Sequence, residues 1–178
     1  GTTGQGGAVF SQAGTLTINN STLASNSATT TAGGLQVQAG TVALNSTIIA
    51  DNNAPSSPDA SGSFAASFTL IEALGAAVVT NNGGNVSGID PLLRPLANNG
   101  GPTQTHALTV GSPAINTGSN PNALGTDQRG DMFLRVANGL ADMGAFEVQS
   151  NESEDDTVPL MVMGAGAGGG PNVRVVNP

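Results

Sequence analysis

The sequence predicts an all-β chain: a right-handed parallel β-helix with about 25–27 residues per coil, a C-terminal cap, and then an incomplete second β module. Three observations support this prediction. The stretch AGTLTIN at 13–19 returns as AGTVALN at 39–45. Apolar and polar residues alternate within each copy, as they do in strands, and we find no segment with helical spacing. Turns rich in Gly-Gly, Ala-Gly and Asn bound each short run.

The composition limits both the core and the partners. Only 9% of the 178 residues are charged and 3% are aromatic, so the core must stack many small and β-branched side chains. The formal net charge is −8, with four basic residues in all. Four scattered arginines do not form the clustered positive surface that a nucleic acid or an anionic lipid surface needs. We therefore expect no nucleic-acid partner.

Cysteine is absent, which excludes disulfides and thiolate metal sites. No apolar run approaches the length that crosses a bilayer, so we expect no membrane span in this segment.

The first domain is predicted over 1–85, as the terminal coils of the β-helix. Each coil holds three short strands, and each strand lies on its equivalent in the next coil. We therefore expect Leu16 to stack on Val42 and Ile18 to stack on Leu44. The two copies are alike because each coil is the template for the next.

Asparagines at the turns are expected to join neighbouring coils through ladders of side-chain amides. The predicted pairs are Asn20 with Asn45 and Asn26 with Asn52.

The third coil is less regular than the first two. Residues 52–63 contain two prolines, which have no backbone N–H to donate, and they are predicted to form a protruding loop. Strands are expected to resume at 64–74 and at 76–82. A turn cluster of Asn and Gly follows.

The character of the sequence changes after this point. The stretches DPLLRPLANNGGPTQTHALTVGSPAIN at 90–116, TDQRG at 126–130 and RVANGLADMGAFE at 135–147 resemble the choice-of-anchor Q domain. That domain is the C-terminal module of bacterial parallel β-helix surface proteins of the polymorphic outer membrane protein kind. The resemblance implies an exported protein at the surface of a bacterium or outside the cell, and it implies no catalytic residue. The chain departs from the family by placing Arg135 later than is usual.

We expect residues 86–148 to act as the cap of the β-helix, because an open end leaves unpaired backbone groups that invite association. Residues 112–116 are predicted to form one helical turn and 140–148 the last strand. Arg129 is expected to be the main polar fastener, since its planar fork can bind a carboxylate and carbonyls together. The predicted structural residues of the cap are Asp90, His106, Asp127, Arg129, Asp142 and Glu147.

Residues 149–157 are predicted to be an acidic linker. The following stretch, 158–178, resembles the start of an FG-GAP-like repeat, which is one part of a propeller blade. A single unit of this kind does not form a propeller alone.

Four motifs suggest chemistry and are better explained by structure. The glycines at 164–169 lack the helix and the acidic residue that a dinucleotide site needs. The Arg-Gly-Asp tripeptide at 129–131 falls within the cap motif, and the single histidine, His106, also lies in a cap motif. Neither 51–59 nor 151–156 matches a calcium loop. We therefore predict no catalytic residue, no cofactor and no metal site.

The function expected from these observations is that of a non-enzymatic stalk and connector in an exported bacterial surface or adhesion protein. Surface glycans or other cell-surface proteins are the expected partners. The alternative is a part of a β-helix polysaccharide lyase or glycoside hydrolase, or a glycan-binding module, with its active residues on coils upstream of this segment. Residues 1–60 hold two carboxylates and no basic residue, which favours the non-enzymatic interpretation.

Overall fold

The computed structural model describes residues 4–150 and Glu152. The predicted second β module at 158–178, the glycine motif within it and most of the acidic linker lie outside the described residues. Ten strands form the described part of the chain: β1 Val9–Ser11, β2 Thr15–Asn19, β3 Thr22–Ala24, β4 Leu35–Val37, β5 Thr41–Asn45, β6 Ile48–Ala50, β7 Ala60–Ser67, β8 Leu70–Ile71, β9 Ala77–Asn81 and β10 Val86–Ser87.

All of these strands pair in parallel, in two curled sheets. One sheet has the order β1-β4-β7-β5-β2, with β9 also paired to β7, and the other has the order β10-β8-β6-β3. The described residues form no helix, so none of them belongs to a helix that could cross a membrane. The all-β class and the parallel pairing are as predicted.

The register of the first two coils follows the sequence repeat. Leu16 pairs with Val42 and Ile18 with Leu44, which confirms the predicted stacking of equivalent residues. Val9 pairs with Leu35 at the same separation of 26 residues. Hydrogen bonds between parallel strands can repeat in this way only when each coil contributes the same length of chain.

Asparagine side chains join the coils at two corners. The Asn26 side-chain amide donates to Asn52 Oδ1 at 3.1 Å, which confirms one predicted pair. At the other corner the prediction is wrong by one residue, because Asn45 Nδ2 donates to Asn19 Oδ1 at 2.8 Å. Asn20 has a φ of 43°, so its backbone turns the corner and its amide bonds the carbonyl of Ser119 instead.

The third coil does not contain the predicted protruding loop. Asn53 and Ser56 form parallel bridges to the preceding coil, and the long strand β7 begins at Ala60. This strand pairs with β4 at its start and with β5 at its end, so it runs through the corner that separates two strands in the second coil. The prolines of this stretch interrupt the ladder without lifting the chain away from it.

The sheet of β3, β6, β8 and β10 is covered on both faces. Ile49 and Ile71 belong to the cluster enclosed by the coils, while their neighbours Ile48 and Leu70 belong to a second cluster. Residues of the 86–148 module supply the rest of the second cluster: Ala107, Leu108, Ala114, Met143, Phe146 and Val148, with Leu93 and Ile115 beside them.

The module therefore packs against the outer face of this sheet. None of the described residues of the module belongs to the inner cluster. This position differs from the predicted one over the end of the coils. The sequence of β6 explains it, because three consecutive apolar residues, Ile48–Ala50, leave an apolar outer face that must be covered.

The module itself has little regular structure. Leu93 bridges Leu108 and Thr126 bridges Leu134, both antiparallel. Residues 112–116 form a hydrogen-bonded turn rather than a helical turn, although Ser112 Oγ accepts from the amide of Ala114 as an N-cap would.

The predicted last strand at 140–148 is absent. Its amides bond to side chains and to isolated carbonyls instead of to a ladder: Glu147 N–H donates to Asp127, Val148 N–H to Asp142, and Ala145 N–H to Thr22. The alternation of apolar residues is real, but it serves burial between two surfaces rather than a strand.

Candidate functional site

Charged side chains of the module meet in a buried network at its centre. A tight turn presents the first of them: Gly130 N–H donates to the Asp127 carbonyl at 3.1 Å, and Asp127 N–H donates to the carbonyl of Phe133 at 2.9 Å. Within this turn the amide of Arg129 donates to Asp127 Oδ1 at 2.7 Å. The turn therefore fixes Asp127 and Arg129 relative to each other before their side chains interact.

The Arg129 guanidinium is fully buried and has an acceptor for every nitrogen. Nε and Nη2 donate to Asp127 Oδ2 at 3.0 and 2.9 Å, and Nη2 also donates to the carbonyl of Glu147 at 2.6 Å. Nη1 reaches the Glu152 carboxylate and the carbonyl of Asn99. One side chain thus ties together four separate parts of the module.

Two aromatic rings enclose the same guanidinium. Its central carbon lies 3.8 Å from the centre of the Phe133 ring and 3.9 Å from the centre of the Phe146 ring. Guanidinium groups stack on aromatic faces because they are planar, weakly hydrated and positively charged. The rings exclude water above and below the ion, while the hydrogen bonds lie in its plane.

Asp127 is saturated as an acceptor. Besides the bonds from Arg129, its Oδ2 accepts the amide of Glu147 at 2.9 Å. A carboxylate held by several N–H donors is stabilised in its charged form, and its lone pairs are occupied. The arrangement is that of a structural tie.

A second arginine lies beside the first. Arg135 is 1% exposed and donates through Nη2 to Glu147 Oε2 at 2.9 Å and to the carbonyl of Asp142 at 2.9 Å, and through Nη1 to the carbonyl of Gly144 at 3.0 Å. Glu147 also accepts the amides of Asp142 and Ala137. Burial raises the pKa of Glu147, and these hydrogen bonds and Arg135 oppose that rise.

The structure brings four of the six predicted cap residues together. Asp127, Arg129 and Glu147 share direct contacts, and Asp142 accepts the amides of Asn116 and Val148, each at 2.7 Å. The predicted pair of Arg129 and Asp127 is present as a salt bridge.

The other two predicted residues lie in a different part of the module. Asp90 is exposed, and its carboxylate accepts the amide of Leu92 at 2.6 Å in a local turn. His106 is half-buried, with Nδ1 2.8 Å from the carbonyl of Arg94. Both residues organise the antiparallel segments at the start of the module.

Sequence reasoning missed four members of the network: Arg135, Glu152, Phe133 and Phe146. Arg135 and the two phenylalanines are scarce residue types in this chain, and their clustering near Arg129 was a usable indication. Glu152 falls in the predicted linker, yet it contacts Arg129 and the amide of Gln149, so the module extends beyond residue 148.

A separate buried carboxylate lies in the coils. Asp59 is 2% exposed and accepts the amide of Ala73 at 2.7 Å and the side-chain amide of Asn52 at 2.9 Å. Burial raises the pKa of Asp59, and these hydrogen bonds oppose the rise. Asp51, nearby, also has a raised pKa because of burial and the charges of Asp90 and Asp59.

Among residues 4–150 and Glu152, no group of three or more acidic or histidine side chains is placed to hold a metal ion. Searches against protein-family models, curated proteins and solved structures found no match to this chain.

Proposed function

We propose that the described coils are the end of a right-handed parallel β-helix, and that the chain is a non-enzymatic stalk and connector in an exported bacterial surface or adhesion protein. The parallel in-register pairing of successive coils supports the fold, because both sheets repeat the same order of strands. The resemblance of residues 90–147 to the choice-of-anchor Q domain supports the cellular setting.

The observation that carries the structural role is the occupancy of the charged groups in the module. Arg129 and Asp127 are buried, and their hydrogen-bonding capacity is spent on the protein itself. Catalytic acids and bases need access to a substrate and a free proton or lone pair. The network instead fastens an irregular segment that covers the outer face of a sheet.

Surface exposure can be tested in the bacterium that carries the gene. Antibodies raised against residues 4–150 should label intact cells as strongly as permeabilised cells. Antibodies against a cytoplasmic protein, which should label permeabilised cells only, are the control. Labelling that appears only after permeabilisation would overturn the proposed location.

The fold has its own test. An experimental structure should show the chain advancing from β1 to β4 to β7 with right-handed coils. Left-handed coils, or residues 13–19 and 39–45 on different sheets, would contradict the proposal.

A further inference from the structure

A cavity of about 530 Å³ lies where the first coil meets the module. The coil contributes the corner Asn20–Thr22, and the module contributes Thr126, Gln128, Arg135 and Ala145, among others. Pockets of this size are typical of small-molecule sites. The cavity is separate from the stacked guanidinium of Arg129, which is enclosed by its two rings.

Two buried polar atoms on the lining side chains have no partner among the described residues. They are the Nε of Arg135, on a residue 1% exposed, and the Oδ1 of Asn20, on a residue 8% exposed. The first is a hydrogen-bond donor and the second an acceptor. Buried polar groups of folded proteins are nearly always paired, so this donor and this acceptor are available to something that enters the cavity.

The charges at the cavity are already balanced inside the protein. Arg135 is paired with Glu147, and Asp127, which also lines the cavity, is paired with Arg129. An anion would meet the Asp127 carboxylate and a single free N–H, and a cation would meet Arg135. The lining therefore favours a neutral ligand that both donates and accepts.

We propose that this cavity binds a neutral saccharide. A sugar hydroxyl donates and accepts at once, so it can accept from Arg135 Nε–H while a neighbouring hydroxyl donates to Asn20 Oδ1. The hydroxyls of Ser21 and Thr126 provide further polar contacts, and Ala145 faces the carbon atoms of the ring. The site does not depend on the stalk function, because the scaffold folds and connects with or without a bound sugar.

Arginine Nε–H resonances give a direct test. The chain has four arginines, so a nitrogen–proton correlation spectrum contains few such signals, and that of Arg135 can be assigned by an Arg135→Lys variant. The folded chain is titrated with glucose, galactose, mannose, N-acetylglucosamine, maltose and cellobiose. We expect at least one of them to shift the Arg135 Nε–H signal saturably, with the amides around Asn20 and Thr126.

Two variants test where the sugar binds. Ala145→Phe fills the cavity and should abolish the shift, whereas Ala76→Phe, at an exposed turn position outside the cavity, should leave it unchanged. Should Ala145→Phe not fold, Thr126→Val removes one lining hydroxyl and should weaken binding several-fold, with the exposed Thr80→Val as its control.

The proposal is overturned by three results. The first is the absence of any shift with all six sugars. The second is a shift that survives both cavity variants. The third is a response to sulfate or phosphate in place of sugars, since that would identify an anion site.

Discussion

Arg129 can be buried in this chain because its partners were in place around it. An isolated charge would cost several kcal/mol to remove from water, and the cost is offset only when the ion is paired and its other donors are satisfied. The turn at 127–130 supplies the carboxylate, the carbonyls of Asn99 and Glu147 supply further acceptors, and two phenylalanine rings supply the walls.

Replacing Arg129 tests whether shape or charge matters most. Arg129→Ala leaves the Asp127 carboxylate buried without its charge partner and should lower the free energy of unfolding by about 3 kcal/mol. Arg129→Lys keeps the charge but loses the planar donors and the stacking, so we expect a loss of about 2 kcal/mol. Urea unfolding of both variants measures these values. A Lys variant as stable as the parent protein would show that charge alone accounts for the site.

Asp59 makes stability depend on pH with a defined sign. Burial raises its folded-state pKa above the ordinary value of 3.8, so the folded protein binds more protons than the unfolded chain between these two values. The contribution of Asp59 to stability is therefore complete below the ordinary value and is lost as the pH rises through the raised pKa.

Asp59→Asn cannot titrate and provides the reference. The free energy of unfolding of the parent protein, minus that of Asp59→Asn, should fall as the pH rises from about 3 to about 8. A lost hydrogen bond from Ala73 in the variant shifts this difference by a constant and leaves its slope unchanged. A difference that is flat, or that rises with pH, would contradict the expected sign.

At this scale the sequence predicted the pair of Arg129 and Asp127 but not their surroundings. The two residues are neighbours in one turn, so their proximity is local. Phe146 and Glu147 reach the same point from another segment, and the sequence contains no periodicity that places them there. The same applies to Asn20, whose side chain turns to Ser119 because the corner adopts a positive φ.

Among the elements, strand β6 has a special position because both of its faces are buried. Its central residue, Ile49, lies in the inner cluster, and the adjacent Ile48 lies in the cluster shared with the module. Adjacent residues of a strand point to opposite faces, so a single strand joins two separate cores.

Two neighbouring substitutions should therefore have different consequences. Ile48→Ala and Ile49→Ala remove the same atoms, and each should cost about 2–5 kcal/mol. Ile48→Ala should loosen the module, so that the amides of Met143 and Gly144, which bond to Ala114 and Ser46, exchange faster with solvent. Ile49→Ala should instead reduce protection in the strands β4 and β5 that line the inner cluster.

Hydrogen exchange read by mass spectrometry or NMR separates the two effects. Identical exchange patterns in the two variants would mean that the coils and the module unfold as one unit, contrary to this expectation.

The elements that the sequence predicted well are those governed by the repeat. Alternation and spacing give the pairing of Leu16 with Val42, because equivalent positions of parallel coils must match. They fail at 140–148, where amides bond to the carboxylates of Asp127 and Asp142 and no ladder forms. They also fail at β7, where the chain spans in one strand what the preceding coil covers in two.

At the scale of the whole molecule, the coils and the module are joined side by side. The continuous apolar face of Ile48, Ala50 and Leu70 would otherwise be exposed to water, and exposed apolar patches of this kind lead to association. The chain closes that face with its own later segment. Predicting this from sequence would have required noticing that β6 is apolar at three consecutive positions, which is typical of a strand covered on both faces.

Gly144 lies at the closest approach between the two parts. Its amide donates to the carbonyl of Ser46 at 2.9 Å, and its φ is 91°. A methyl group at this position would lie 2.7 Å from Thr22 Oγ1 and 2.8 Å from Ile48 Cδ1. Gly139, in the same module, has a φ of 110° and open space where a methyl group would point.

The two glycines therefore separate backbone strain from steric contact. Gly139→Ala should lower the free energy of unfolding by about 1–2 kcal/mol, the cost of a left-handed conformation. Gly144→Ala should lose that amount and about 1–3 kcal/mol more, because the module must move away from the coils to admit the methyl group. Unfolding in urea, together with binding of a dye that reports exposed apolar surface, measures both effects, and dye binding should rise for Gly144→Ala alone. Equal losses in the two variants would mean that the contact with Thr22 and Ile48 yields without cost, and that the module is not held tightly against the sheet at this point.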